Sequence, residues 1–265
     1  MGEISVKTGN NARNGGKNSL NRLIRCVCGK KIGPDPRNFN QRVSLGRNDL
    51  LIRTFPSPMI ISSFLNALSK FGLIPTFEQE LNALTGQKKQ LLIMTNPEQT
   101  YKVEFPTRSI IISGAGMDVD EFKDKTIDVL GVLESLMPNK KAHRLAVINV
   151  SIYVGTQAQY QDIYSKLFTY KDIEPFEWEN KVAQRISKPD VDVGINHISM
   201  IKRCPVSSDL INSGRDTDAI IFENDTNTVH DAFSFRYDWK RAIEIFKSLS
   251  AINVSELAKA ERYTK

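Results

Sequence analysis

Six carboxylates crowd one stretch of the chain: Asp190, Asp192, Asp216, Asp218, Glu223 and Asp225, with Lys202 among them. Carboxylates that converge on one point hold the paired metal ions, about 4 Å apart, of a phosphodiester hydrolase. This run is therefore the candidate centre of a metal-dependent hydrolase acting on nucleic acid. Asp216 and Asp218 also fall in a stretch that reads as loop, where Asp is common because its side chain closes turns on the backbone. His143, His197 and His230 stand apart from one another in no metal-binding spacing, and no Gly-x-Ser-x-Gly elbow accompanies them. Each is read as a surface or hydrogen-bonded structural histidine. Gly114-Ala115-Gly116 precedes a helix start at Asp118, a place that can hold a phosphate. Its spacing fits neither glycine-rich nucleotide signature, and Asp118 and Asp120 put negative charge where the phosphate would sit. A tight turn with a capping Asp is the expected role, and Asp118-x-Asp120 lacks the Gly and Glu of a calcium loop. Tyr164-x-x-Leu167 matches a short sorting pattern, but both residues belong to an apolar helical stripe. With no catalytic signature, the sequence predicts a non-enzymatic protein with no catalytic residues, no metal and no cofactor.

Cys26 and Cys28 are too close for an unstrained bridge, and Cys204 is far away in sequence. This pattern predicts a reducing, intracellular compartment, cytoplasm or nucleus, rather than a disulfide framework. Cys-x-Cys with Cys204 or His197 offers zinc ligands, yet the second ligand pair of a closed zinc site is missing. Cys26 and Cys28 flanked by Arg22, Arg25, Lys30 and Lys31 also form the two-signal arrangement of acylation plus basic patch. Val6 stands where a myristoylation signal wants Ser or Thr. Asn149, Asn224 and Asn253 begin Asn-x-Ser/Thr sequons, which read as chance occurrences in a chain without a secretory apolar stretch.

Charge is the strongest signal. Residues 1–47 hold ten Lys/Arg (Lys7, Arg13, Lys17, Arg22, Arg25, Lys30, Lys31, Arg37, Arg42, Arg47) against two acids. The other 218 residues hold twenty-six Lys/Arg and twenty-eight Asp/Glu, so the formal net charge of +6 belongs to one end. Such an arm attracts nucleic-acid phosphates or an anionic membrane face, and on either it reads charge rather than sequence. Phe39 is its only aromatic residue, which favours nucleic acid or nucleoprotein over membrane. A solvated tail is the plain alternative.

The elements that must position these groups follow from periodicity. Residues 1 to about 20, rich in Asn, Gly and Lys, bury too little to offset their ordering entropy and are expected to be disordered. Leu20, Leu23, Ile24 and Val27 then mark one face of a short amphipathic helix over 20–28. Leu50–Phe55 reads as a strand, and Ser57-Pro58 starts a helix whose stripe is Ile61, Phe64, Leu65, Leu68 and Phe71, stopped by Gly72. Residues 91–94, 101–105 and 110–112 read as antiparallel strands. Asp118 caps a helix carrying Val119, Phe122, Leu130, Leu133 and Met137. Leu145–Val154 is a β-branched strand leading to a helix with Tyr160, Ile163, Tyr164, Leu167 and Phe168 on one side. Residues 171–190 are mixed, 191–195 alternate as a strand, 205–217 read as a long polar loop, and 219–222 as a strand. Asp238 opens a C-terminal helix, and Ser255 caps a further short one. The strand–helix pair at 50–71 loosely echoes the one at 145–168.

The expected fold is α+β: a mixed, mostly antiparallel sheet packed with three to four helices, preceded by a flexible basic N-terminal arm. Residues 1–47 form the arm and 48–265 a single globular domain, which self-associates. The expected function is a structural or adaptor protein, matrix-like or nucleocapsid-associated, that binds nucleic acid or nucleoprotein through the arm. A peripheral membrane protein anchored by the arm and Cys26/Cys28 is a further reading. Removal of residues 1–47 is expected to leave the body folded.

Overall fold

Tyr101, Val103 and Phe105 are buried on one face of their strand, while Lys102 and Glu104 turn to the other, the period of two that a pleated strand imposes. The computed structural model describes residues 25–26, 41–45, 58–81, 88–106, 109–188, 191–207, 213–229 and 236–264. In chain order these form β1 (Arg25–Cys26), β2 (Gln41–Leu45), α1 (Pro58–Leu68, with a 3-10 turn at Ser69–Phe71), β3 (Ile74–Leu81), β4 (Lys88–Thr95), β5 (Tyr101–Phe105), β6 (Ile110–Gly114), α2 (Val119–Leu136), β7 (Leu145–Tyr153), α3 (Gln157–Leu167), β8 (Trp178–Lys188), β9 (Val191–Ser207), β10 (Asp216–Thr228) and α4 (Trp239–Ala260).

The fold is α+β, and every strand pairing among the described residues is antiparallel. Across the sheet the order is β8-β9-β10-β7-β2-β6-β5-β4-β3, with β1 continuing the β8 side of β9 at Val206 and Ser207. Two four-stranded antiparallel units, β3 to β6 and β8-β9-β10-β7, meet through β2, which pairs with β6 on one side and β7 on the other. Each half runs strand, helix, meander, helix, and the last meander strand returns beside the first strand. The echo in the sequence is therefore architectural, with Gln41–Leu45 in the role expected of Leu50–Phe55, which lies outside the described residues.

All four described helices cover one face. Phe64 and Leu68 of α1, Phe122, Val129, Leu130 and Leu133 of α2, and Ala242, Ile245, Phe246 and Leu249 of α4 share a core with Leu92, Met94, Tyr101, Val103 and Ile112 of the sheet. Tyr160, Ile163 and Tyr164 of α3 close a second cluster over Trp178, Ile201, Ile220 and Phe222. Each large apolar side chain fully buried this way contributes about 1.5–3 kcal/mol. A smaller buried cluster, Ile148, Val150, Cys204, Val206, Ala219 and Ile221, lies on the opposite face.

Helix starts follow local chemistry. The Asp118 carboxylate accepts from Asp120 N at 2.7 Å, Thr156 and Gln159 form a reciprocal capping box, and Asp238 accepts from Arg241 N at 2.9 Å. Gly72 ends the first helical stretch in a left-handed conformation, φ 71°.

Several expectations are corrected. Residues 205–217 are not one long loop: β9 continues to Ser207, and β10 begins opposite it at Asp216. Pro205 is level with the gap between β8 and β1, where a missing amide donor is tolerated. Ser255 starts no new helix, because α4 runs unbroken to Ala260. Arg25–Cys26, placed on an amphipathic helix by their spacing, are extended and pair with β9, whose edge donors and acceptors outweigh a short helix with a costly nucleus. Residues 178–188, read as mixed, form a full edge strand. The arm also surrenders Gln41–Leu45 to the centre of the sheet, so removal of residues 1–47 takes a strand out of the body.

Candidate functional site

Among the described residues, the carboxylates of the 190–225 stretch form no group of three that could hold a metal ion. Asp218 is level with Pro205, while Asp192 is thirteen positions earlier on β9; at about 3.3 Å per residue that is roughly 40 Å along the strand. Asp192 is exposed, and Asp225 is engaged by Asn227 Nδ2 at 2.9 Å. Asp190 lies outside the described residues. Among the described residues, no three His, Cys, Asp or Glu side chains come close enough to hold a metal ion.

Asp218 has a different occupation. The Arg203 side chain, 5% exposed, donates to Asp218 from Nη2 at 2.6 Å and from Nε at 3.1 Å, to Pro175 O at 3.0 Å and to Gln157 Oε1 at 2.5 Å. Its guanidinium covers the Tyr160 ring at 4.7 Å. Tyr160 Oη donates to Asp218 O at 2.7 Å and accepts from Gly155 N at 2.8 Å. Arginine's planar fork suits this four-way fixing. It ties the start of α3 and the loop before β8 to the β9–β10 hairpin, and its hydrogen bonds are spent on that task.

The three sequon asparagines meet inside the protein. Asn149, Asn224 and Asn253 are each at most 3% exposed. Asn253 Nδ2 donates to Asn149 Oδ1 at 2.8 Å, Val147 O at 3.0 Å and Asn224 O at 3.3 Å. Its Oδ1 accepts from Thr226 Oγ1. His197 Nδ1 stands 2.8 Å from the same hydroxyl. This network fastens α4 to β7, β10 and β9, and burial closes these sites to a glycan.

Burial pushes the His197 imidazole below its ordinary pKa; Lys259 adds to the effect, and Glu256 and Asp225 oppose it. Its Nε2 has no partner. The unfolded chain then takes up a proton near pH 6.5 that the folded chain refuses until lower pH. Stability is expected to hold above pH 7 and to fall as pH drops through 6.5, by at most about 1.4 kcal/mol per pH unit for one proton. Urea unfolding at pH 7.5 and 5.5 checks this. His197→Gln is expected to lose part of that pH dependence, and an unchanged dependence refutes the assignment.

The glycine turn serves packing. A Cβ on Gly114 would stand 2.5 Å from the Phe122 ring, and Gly116 has φ 69°. On the helix-free face, Lys102 pairs with Glu104 at 2.8 Å with side chains 4% and 13% exposed. Buried Ser113 stands between Lys102 and Arg42 in the ladder.

Of the arm's cations, Arg25 stands opposite Ser207, and Arg42 lies between Ser113 and Ile148 in mid-sheet. Lys7, Arg13, Lys17, Arg22, Lys30, Lys31, Arg37 and Arg47 lie outside the described residues, as do Cys28 and His230. Cys26 stands opposite Val206, two positions along β9 from Cys204. Sequence reasoning kept these cysteines apart because separation along the chain hides a ladder. No described helix is long and apolar enough to cross a membrane. No protein-family model, curated protein or solved structure matches this chain.

Proposed function

We propose that the chain is a non-enzymatic structural or adaptor protein, matrix-like or nucleocapsid-associated, that binds nucleic acid or nucleoprotein through its basic N-terminal residues. The observation that carries this reading is the partition of charge: ten Lys/Arg against two acids over residues 1–47, and a slight acidic excess over the remainder. The body's buried cations support it, since Arg203 and Lys102 are engaged by Asp218 and Glu104 rather than offered to a ligand. Backbone phosphates then meet the N-terminal cations, and affinity comes from counterion release rather than base reading.

The test is fluorescence anisotropy with a labelled random-sequence duplex across a salt series. Log K is expected to fall with log salt by about 0.9 per phosphate contact. Changing Lys7, Arg13, Lys17 and Arg22 to Gln is expected to make that slope shallower by up to about 3.6 on the same scale and to weaken binding equally on unrelated sequences. Binding that ignores salt, or survives these changes undiminished, refutes the proposal.

A further inference from the structure

The large apolar residues that stay exposed are concentrated at the two ends of the sheet. Ile74 and Phe77 of β3 are 52% and 50% exposed; Val182 of β8 is 56% exposed; Tyr170, Ile173 and Phe176, in the loop that enters β8, are 72%, 52% and 78% exposed. That loop is held, not loose: Gln161 Nε2 donates to Ile173 O at 3.0 Å and Arg203 Nη1 to Pro175 O at 3.0 Å. Both β3 and β8 are terminal strands of the sheet order, and β8 is eleven residues long. A long terminal strand with apolar residues is a template for pairing with another chain.

The charges at the two ends differ in sign. Lys181 and Arg185 of β8 stand opposite Met200 and Asn196 of β9, so neither meets an acid across its ladder. Glu78 of β3 stands opposite Leu91 of β4. Strand alternation places Glu78, Lys181 and Arg185 on the helix-free face, and Phe77 and Val182 on the helix-bearing face. Glu179, on the same face of β8, stands opposite Lys202; a β8–β8 contact centred on Ala183 would set Lys181 against Arg185, and a β3–β3 contact centred on Glu78 would oppose acids, and like charges on neighbouring strands destabilise pairing. A β3–β8 contact meets neither penalty.

We infer that β3 of one copy of this chain pairs with β8 of the next, joining the sheets of successive copies. Nine strands linked by antiparallel pairings give β3 and β8 the same direction. With the faces kept continuous, the joint between copies is therefore parallel. Glu78 then lies beside Lys181 and Arg185, and Phe77 beside Val182. The two surfaces are different patches, so the contact is head-to-tail and builds rings or filaments rather than a simple twofold dimer.

Sedimentation velocity of the full chain over a concentration series tests this. Mass is expected to rise with concentration. Glu78→Lys alone, and Lys181→Glu with Arg185→Glu, are each expected to weaken assembly at least tenfold. Mixing the two variants restores it, because each reversed end finds a complementary one. Circular dichroism of each variant verifies folding, and Val182→Asp supplies an independent break on the helix-bearing face. A monomer at every concentration, assembly indifferent to both reversals, or a mixture that fails to recover overturns the inference.

Discussion

Deleting residues 1–47 is expected to abolish cooperative unfolding, whereas deleting residues 1–24 leaves it nearly unchanged. The difference lies in five residues. Gln41–Leu45 pair along their whole length with Ile110–Gly114 on one side and Leu145–Asn149 on the other. Without them, β6 and β7 both present unpaired backbone donors and acceptors in mid-sheet, and each buried group left unmade costs about 1–3 kcal/mol. Several such losses exceed the 5–15 kcal/mol by which a typical protein is stable. Val43→Pro makes the same point with one residue. Val43 pairs with Ile112 and Val147 at once, and proline removes a donor from a strand that is bonded on both sides. Urea unfolding followed by circular dichroism should show a sigmoid for the full chain and for the 1–24 deletion, but a shallow drift for the 1–47 deletion and for Val43→Pro. A sharp transition in the 1–47 deletion would show that β2 is dispensable. The same contrast guides binding work, since removal of the whole basic region confounds lost charge with lost structure.

Asn253→Ala is the point substitution with the largest expected cost, about 3–5 kcal/mol and roughly 10 °C in Tm. It removes one acceptor and a donor shared among three acceptors, leaves Thr226 Oγ1 with His197 Nδ1 alone, and strips Asn149 Oδ1 of its Asn253 donor away from water. A fully satisfied buried network is worth more than its separate bonds, and a half-satisfied one is worse than an apolar core. Asn253→Leu restores volume but not partners and is expected to lie close to Asn253→Ala. Val254→Ala, one residue along and 39% exposed, is the control and is expected to shift stability by less than about 0.5 kcal/mol. Calorimetry of the three variants decides it; a loss below 1 kcal/mol for Asn253→Ala would show that water or rearrangement replaces the network.

Helices were the legible part of this chain. Asp118, Thr156 and Asp238 carry side chains that cap the first turn, and the apolar stripes of α2 and α4 repeat at helical spacing, so local chemistry suffices. Strands with internal alternation, such as Tyr101–Phe105, were legible for the same reason. What escaped depends on neighbours distant in sequence. The strand expected at 219–222 runs on through the polar Asp225-Thr226-Asn227-Thr228, because Asn196, His197 and Asn253 answer its side chains. Gln41–Leu45 carries apolar side chains only at Val43 and Leu45, too weak a pattern to announce a strand, and is one because β6 and β7 leave a slot for it. The site shows the same split. Counting charge located the N-terminal cations, but no spacing rule shows three sequons meeting in one core, or Asp192 and Asp218 standing far apart.

β2 also sets an order of events in synthesis. It leaves the ribosome before both partners, β6 and then β7, which begins about a hundred residues after β2 ends. At about 5–20 residues per second, that is on the order of ten seconds during which the basic N-terminal stretch is out and its neighbouring strand unclaimed. A polyanion that meets the nascent chain in this interval encounters the cations before the sheet has closed around Gln41–Leu45.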